Sequence, residues 1–258
     1  MRYPMITGHA GNDNSIANSP ESLYKCISLG ADASEVDVRR DENSVLVLSH
    51  VKQSQNIYDT CTKLSTIFEA ASRNSEIIIN CDLKEENLPV DVISLARQYG
   101  LDKSRLILTG TVPPSYISLH PEITEMSHIF LNIEFAIEDI CLEKMNTSYT
   151  KAQKNDYYNN PWKYIRELNI NMEQYLEKAV QTCLEYKVEG INMPYSLLTD
   201  KNIGILKEAG IPVSAWTVND EKEMERLFLK GIENITTLNV AKAKAIRMDL
   251  FNSGIQVC

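Results

Sequence analysis

Glu35 and Asp37 stand two residues apart in the run Ser34-Glu35-Val36-Asp37-Val38, where charged and apolar side chains alternate. In an extended chain that spacing sends both carboxylates out of one face and both valines out of the other. Like charges on one face repel, and a divalent cation is the group best suited to offset them. Turn chemistry follows in Asp41-Glu42-Asn43, and the apolar stretch Val45 to Leu48 then delivers His50. Two carboxylates and an imidazole on adjoining strands read as half of an active site. The blander reading is a solvated strand edge with a chance histidine.

The elements that must hold these residues follow from periodicity and punctuation. Met5 to His9 reads as a first strand, and Ser19-Pro20 opens a helix, with Ser19 as N-cap and Pro20 at the first helical position. The strand–turn–strand unit around Glu35 comes next. Further strands are expected at Ile77–Asp82, Leu106–Thr109, Ile129–Ile133, Gly190–Met193, Val213–Trp216 and Ile235–Thr237, with helices between them. The stretch from Ile140 to Tyr186 is more polar, with a loop expected over Asn155–Pro161 and a helix over Met172–Tyr186. Gly30, Gly100, Gly210 and Gly231 each close a helix and are followed by an apolar residue, a repeated helix-to-strand junction. Leaving out the second arm of the hairpin, eight strands alternate with helices. Such a series closes most simply into a (β/α)8 TIM barrel, here with a short antiparallel β-hairpin extension after strand 2. An open doubly wound sheet is the alternative. No break in composition divides residues 1–258, so a single domain is expected.

In a barrel, the residues at the C-terminal ends of the strands build the site. His9 then ends the first strand, Glu35 and Asp37 the second, Asp82 the third and Trp216 the seventh, while Lys84 follows Asp82 by two. Two histidines, three carboxylates and a lysine would share one mouth. Glu21 reads as a first-turn residue that suits the helix dipole, and His120 and His128, next to apolar stretches, as structural.

The 258 residues carry a formal net charge of −9 with pI near 5.1, against the clustered Lys and Arg that nucleic acid or an anionic membrane surface demands. Neither nucleic-acid binding nor stable membrane insertion is expected, and no apolar run approaches spanning length. An anionic substrate would need local positive charge. The six cysteines show no CxxC pair and no zinc spacing, which reads as a reducing, cytoplasmic compartment, although a trimmed signal peptide would leave no trace. A homo-oligomer is left open.

The order and spacing of several blocks resemble the glycerophosphodiester phosphodiesterase family. They are Ile6-Thr7-Gly8-His9-Ala10-Gly11, Pro20-Glu21-Ser22, Leu29 through Val38, and Val45 to His50. Gly210 to Asn219, with its Trp216, and Gly231 to Thr237 resemble the family's closing motifs, so the likeness spans nearly the whole chain and is weakest over Ile140–Tyr186. The resemblance implies a metal-dependent barrel enzyme that cleaves a small-molecule glycerophosphodiester to glycerol phosphate and an alcohol. It implies His9 and His50 as the acid–base pair and Glu35, Asp37 and Asp82 as ligands of a divalent cation, Mg2+ or Ca2+. Lys84 would contact phosphate and Trp216 would wall the substrate. Imidazoles suit proton transfer because their unperturbed pKa, about 6.5, lies near working pH. Which histidine is acid, and whether water or the substrate's own hydroxyl attacks, the residues leave open.

This chain departs from the family pattern in four places: Ala10 stands for an arginine, Val51 for an acid, Asp82 for a glutamate and Leu238 for an aspartate. Loss of a bidentate guanidinium is not made good geometrically by a lysine. The aspartate–x–lysine pattern without that arginine is also similar to the venom and fungal phospholipase D (sphingomyelinase D) branch, which releases cyclic phosphates from choline phospholipids. A catalytically weakened binding protein on the same barrel is the third reading.

Overall fold

The computed structural model describes residues 4–146 and 148–254. Among them nine strands form one sheet: β1 (Met5–Gly8), β2 (Ala33–Arg40), β3 (Leu46–Leu48), β4 (Ile78–Leu83), β5 (Leu106–Gly110), β6 (His128–Asn132), β7 (Gly190–Pro194), β8 (Val213–Trp216) and β9 (Asn234–Thr237). All but β3 pair in parallel, and β1 pairs with both β2 and β9, which closes an eight-stranded barrel. The antiparallel β3 hangs from β2 through the pairs Val38–Leu48 and Arg40–Leu46, as the hairpin reading required. The fold is therefore the TIM barrel with one extra strand.

Alternation along the strands sorts the side chains into two cores. On β2 and β4, Val36, Val38, Cys81 and Leu83 face outward and pack against the helices Leu64–Ser72 and Pro89–Gln98. Inside the barrel, Met5, Ala33, Ile107 and Phe130 make an apolar floor. Above that floor the lining turns polar. Thr7 Oγ1 donates to Asn234 Oδ1 (2.8 Å), Asn234 Nδ2 to Ser214 Oγ (2.9 Å), and Thr109 Oγ1 to Asn80 Oδ1 (3.1 Å). Buried polar groups at this level satisfy one another from strand to strand and give the site a stiff base.

The helix junctions follow the chemistry read from the chain. Ser19 caps the helix Pro20–Leu29 by accepting from the Ser22 amide, a contact whose loss typically costs about 1 kcal/mol. Gly30 closes it with φ of 69°, and Gly100, Gly210 and Gly231 repeat that left-handed turn.

One local expectation is overturned. Asn155–Pro161 is not a continuous loop: the helix Lys151–Asp156 enters it and the helix Pro161–Glu167 begins at its end, leaving Tyr157 to Asn160 between them. A capping box at Thr150 and Gln153 starts the first of these helices, and Pro161 sits at the first position of the second. The polar segment after β6 thus folds into short helices, from Ile133–Ala136 through Leu176–Glu185, and its apolar residues Phe135, Tyr164 and Leu176 on the helices and Tyr157 between them join the main core.

Candidate active site

Strand register brings the acids together. Asp37 on β2 stands opposite Asp82 on β4, and Glu35 opposite Asn80. One carboxylate oxygen from each of Glu35, Asp37 and Asp82 lies within 4.8 Å of the others, the one group of three or more His, Cys, Asp or Glu donors so close among the described residues. Glu35 and Asp37 are buried, with 3% and 2% exposure, while Asp82 reaches the cavity wall.

Each acid is held by a partner. Glu35 Oε2 accepts from the Ala10 amide (2.8 Å) and lies 3.8 Å from His9 Nδ1. Asn18 grips Asp37 twice, donating from Nδ2 to Oδ2 (2.8 Å) and accepting the Asp37 amide at Oδ1 (2.9 Å). Lys84 Nζ bridges Asp37 Oδ1 (2.8 Å) and Asp82 Oδ2 (2.6 Å). The approach to Asp37 Oδ1 lies outside good hydrogen-bonding direction, so Lys84 meets this buried oxygen through charge, as an ion pair.

The pKa values record the crowding. Burial first, then the charge of Asp37, pushes the Glu35 carboxyl up to about 7. Burial works against the Asp37 carboxylate too, but Lys84 and Asn18 outweigh it and hold the group below its ordinary range. Burial opposes the His9 imidazolium, yet Glu35, with the Ala10 carbonyl and the two aspartates, raises its pKa overall. Lys84 is likewise raised against its burial by Asp82, Asp37 and Glu35, so it stays an ammonium. Three clustered carboxyls, with Glu35 raised by burial and by its acidic neighbour, match the donor set of a hard divalent cation.

His9 Nδ1 sits 3.0 Å from the Ala10 carbonyl. A carbonyl only accepts, so Nδ1 carries the hydrogen and Nε2 is left for proton exchange. His50 lies on the loop beyond β3, exposed, and faces the same cavity as His9. That cavity, about 800 Å³, opens at the C-terminal ends of the strands and is lined also by Glu35, Asp82, Lys84 and Trp216. All seven residues singled out from the sequence therefore meet at one mouth, Asp37 just behind the wall. His120, tilted against Tyr116 with ring centroids 4.6 Å apart, and His128, paired with Glu189 at 2.8 Å, lie elsewhere.

Sequence reasoning passed over several wall residues. Arg39 lines the cavity, and its parity with Glu35 and Asp37 on β2 was a usable signal. Glu134 follows the end of β6, where the barrel rule looks for site residues. Tyr158 and Trp162 come from the polar segment after β6, which carries no periodic signal to aim them.

The profile of the glycerophosphoryl diester phosphodiesterase family matches residues 9–242. The chain belongs to that family. Membership makes it a phosphoric diester hydrolase. A search of curated proteins found no match. Among solved structures, a glycerophosphodiester phosphodiesterase from Parabacteroides distasonis is similar at 18% identity and TM-score 0.63, covering 98% of this chain and 100% of its own. A glycerophosphodiester phosphodiesterase from Agrobacterium tumefaciens has 14% identity and TM-score 0.63, with 95% and 99% covered. A phosphodiesterase from Oleispira antarctica, solved with the product sn-glycerol-3-phosphate, has 14% identity and TM-score 0.60, with 96% and 97% covered. At these identities the likenesses speak for the barrel. Among the described residues no helix is long and apolar enough to cross a membrane.

Proposed function

We propose that this family member hydrolyses a glycerophosphodiester to glycerol phosphate and an alcohol, with His9 and His50 sharing the acid–base work and Glu35, Asp37 and Asp82 holding a divalent cation, Mg2+ or Ca2+. The observation that carries the reading is the meeting of both imidazoles with the three-carboxylate cluster around one cavity. A bound divalent cation would supply Lewis acidity and offset phosphoryl charge. The chain's own residues do the rest. One imidazole takes the proton of the attacking hydroxyl while the other gives a proton to the departing alkoxide, so protons balance over the turnover. Glu35 orients His9 through charge, and Lys84 is the ammonium at the cavity mouth that can turn from Asp37 and Asp82 toward a phosphoryl oxygen. Trp216 walls the cavity at the end of β8. We place the protein in the cytoplasm, as one domain.

The test is turnover of glycerophosphocholine with and without added Mg2+ or Ca2+, followed by 31P NMR. Cation-dependent release of glycerol phosphate is expected, and His9→Ala and His50→Ala should each lower kcat by roughly 10²-fold or more. Accumulation of a cyclic phosphate from a choline lysophospholipid would instead assign the phospholipase D-like chemistry. Thermal stabilisation by the diester without turnover would mark a binding protein.

A further inference from the structure

Across the barrel mouth from the histidines, the cavity wall contains a second acidic feature that the hydrolytic reading leaves unused. Glu134 is 4% exposed and lines the cavity. Its Oε1 accepts from Asn132 Nδ2 (2.9 Å), while its buried Oε2 has no hydrogen-bond partner among the described residues. The Trp162 indole approaches closely enough to favour the charged form without reaching hydrogen-bonding geometry; burial dominates and raises the carboxyl to about 7. A buried carboxylate with one oxygen unmet costs free energy unless something positive arrives.

The backbone around it is fixed. Tyr157 Oη donates to the Glu134 carbonyl, and Gly110 N donates to Asn132 Oδ1 at 3.1 Å. The same stretch after β6 brings three aromatic side chains to the cavity wall: Phe135, next to Glu134 in the chain, Tyr158, which packs on Phe135, and Trp162, whose indole is felt by the Glu134 carboxyl. Phe135 and Tyr158 stack with centroids 6.3 Å apart and planes 6° from parallel, so this wall is preassembled. Aromatic faces beside an unmet carboxylate attract an organic cation, and an alkylammonium most of all. Metal is a poorer fit, because Glu134 belongs to no cluster of three donors among the described residues.

Position supports the same occupant. β4 and β6 flank β5, so at about 4.8 Å per strand the Glu134 side lies roughly 10 Å around the rim from Asp82, and the charge of Asp82 is felt at Glu134. A diester whose phosphate lies over Lys84 can extend its alcohol toward this wall. A zwitterion also escapes the penalty a plain anion meets from a chain of net charge −9.

We propose that Glu134, with Trp162 and its aromatic neighbours, forms a subsite for an alkylammonium headgroup, so that the preferred diester carries a cationic alcohol. The phosphate end of this assignment rests on the hydrolase reading above; the cation site does not. The chain's two tryptophans, Trp162 and Trp216, both line the cavity, which makes intrinsic fluorescence a direct reporter. Choline chloride should quench it saturably and glycerol should not, and Glu134→Gln should weaken the choline response roughly tenfold. In kinetics, the ratio of kcat/KM for glycerophosphocholine over glycerophosphoglycerol should favour choline by roughly tenfold and fall in Glu134→Gln. Trp162→Leu, judged by the same ratio, serves if the Gln variant does not fold. Choline quenching without any diester turnover would sink the hydrolase reading and keep the subsite. Turnover of both diesters at one ratio in wild type and variant, with no choline quenching, would overturn the subsite and leave the hydrolase reading standing.

Discussion

Arg39 reaches from β2 to the loop that carries His50, donating from Nη2 to the His50 carbonyl at 3.1 Å while Nη1 pairs with Glu85 at 3.4 Å. The loop residue Ser49 is tied to the same strand by its amide on the Asp37 carbonyl (3.0 Å). His50 is exposed, so these tethers, rather than packing, set where its imidazole stands. Arg39 is also the one arginine lining the cavity among the described residues, in a chain with Ala10 where the family pattern has an arginine. Arg39→Ala should therefore lower kcat/KM for glycerophosphocholine by roughly 10- to 100-fold through misplacement of His50, and Arg39→Lys should recover only part of it. Steady-state kinetics beside a melting curve checks this; a loss of melting temperature without loss of kcat would reduce Arg39 to a structural tie. At this scale the sequence revealed residues whose type and parity were unusual, such as Glu35, Asp37 and the two histidines. Arg39 shares that parity but was passed over, because an arginine at a strand end reads as solvated until the cavity is seen.

The end of β5 shows how tightly the elements are fitted around the acids. Gly110 has φ of 77°, and a Cβ there would stand 2.2 Å from Asp82 Oδ1 and 2.3 Å from the Leu83 carbonyl. Gly110→Ala combines left-handed strain with overpacking, and should cost about 3 kcal/mol or more in urea unfolding. It should also raise the concentration of divalent cation needed for half-maximal activity, because Asp82 is displaced. An alanine variant that unfolds and binds cation like the parent would refute this fit. The helix and strand alternation was readable because helices such as Pro20–Leu29 and Glu221–Leu229 bury one apolar stripe, strands such as Leu106–Gly110 are short apolar runs, and four helix-to-strand junctions carry glycine. The segment after β6 resisted reading for a physical reason: its helices are short, so few turns repeat the apolar stripe. The helix Glu138–Met145, for example, buries only Glu138, Cys141 and Met145. The aim of Tyr158 and Trp162 depends on tertiary packing of Tyr157 and Tyr164, which no local pattern encodes.

For the molecule as a whole, buried carboxyls set the response to pH. Glu35, Glu134 and Glu138 are each raised by burial from 4.5 to about 7. Between those values the folded chain holds protons that the unfolded chain has lost, so this contribution is full below the unfolded pKa and disappears as pH rises through about 7. His9, raised above 6.5, acts in the same direction, present below its unfolded value and lost above its folded one. Asp37, lowered below 3.8, acts oppositely, losing its contribution only as pH falls through its folded value. The melting temperature of cation-free protein should accordingly fall from pH 5.5 to 8, and Glu138→Gln should flatten the fall. Added Mg2+ or Ca2+ should stabilise more at pH 8 than at pH 5.5, since Glu35 must shed its proton to bind. A cation-free melting temperature that rises over this range would contradict the assignment. There is a further consequence in how the mouth is divided along the chain. His9, Glu35, Asp37, His50, Asp82 and Lys84 all come from the polypeptide up to Lys84, whereas Glu134, Phe135, Tyr158 and Trp162 come from the one connection between β6 and β7. The proposed acid–base and cation-holding groups and the wall that faces them are thus written on separate stretches of the sequence. Recombination or drift in the later stretch can change an enzyme's diet while its scissors are inherited untouched.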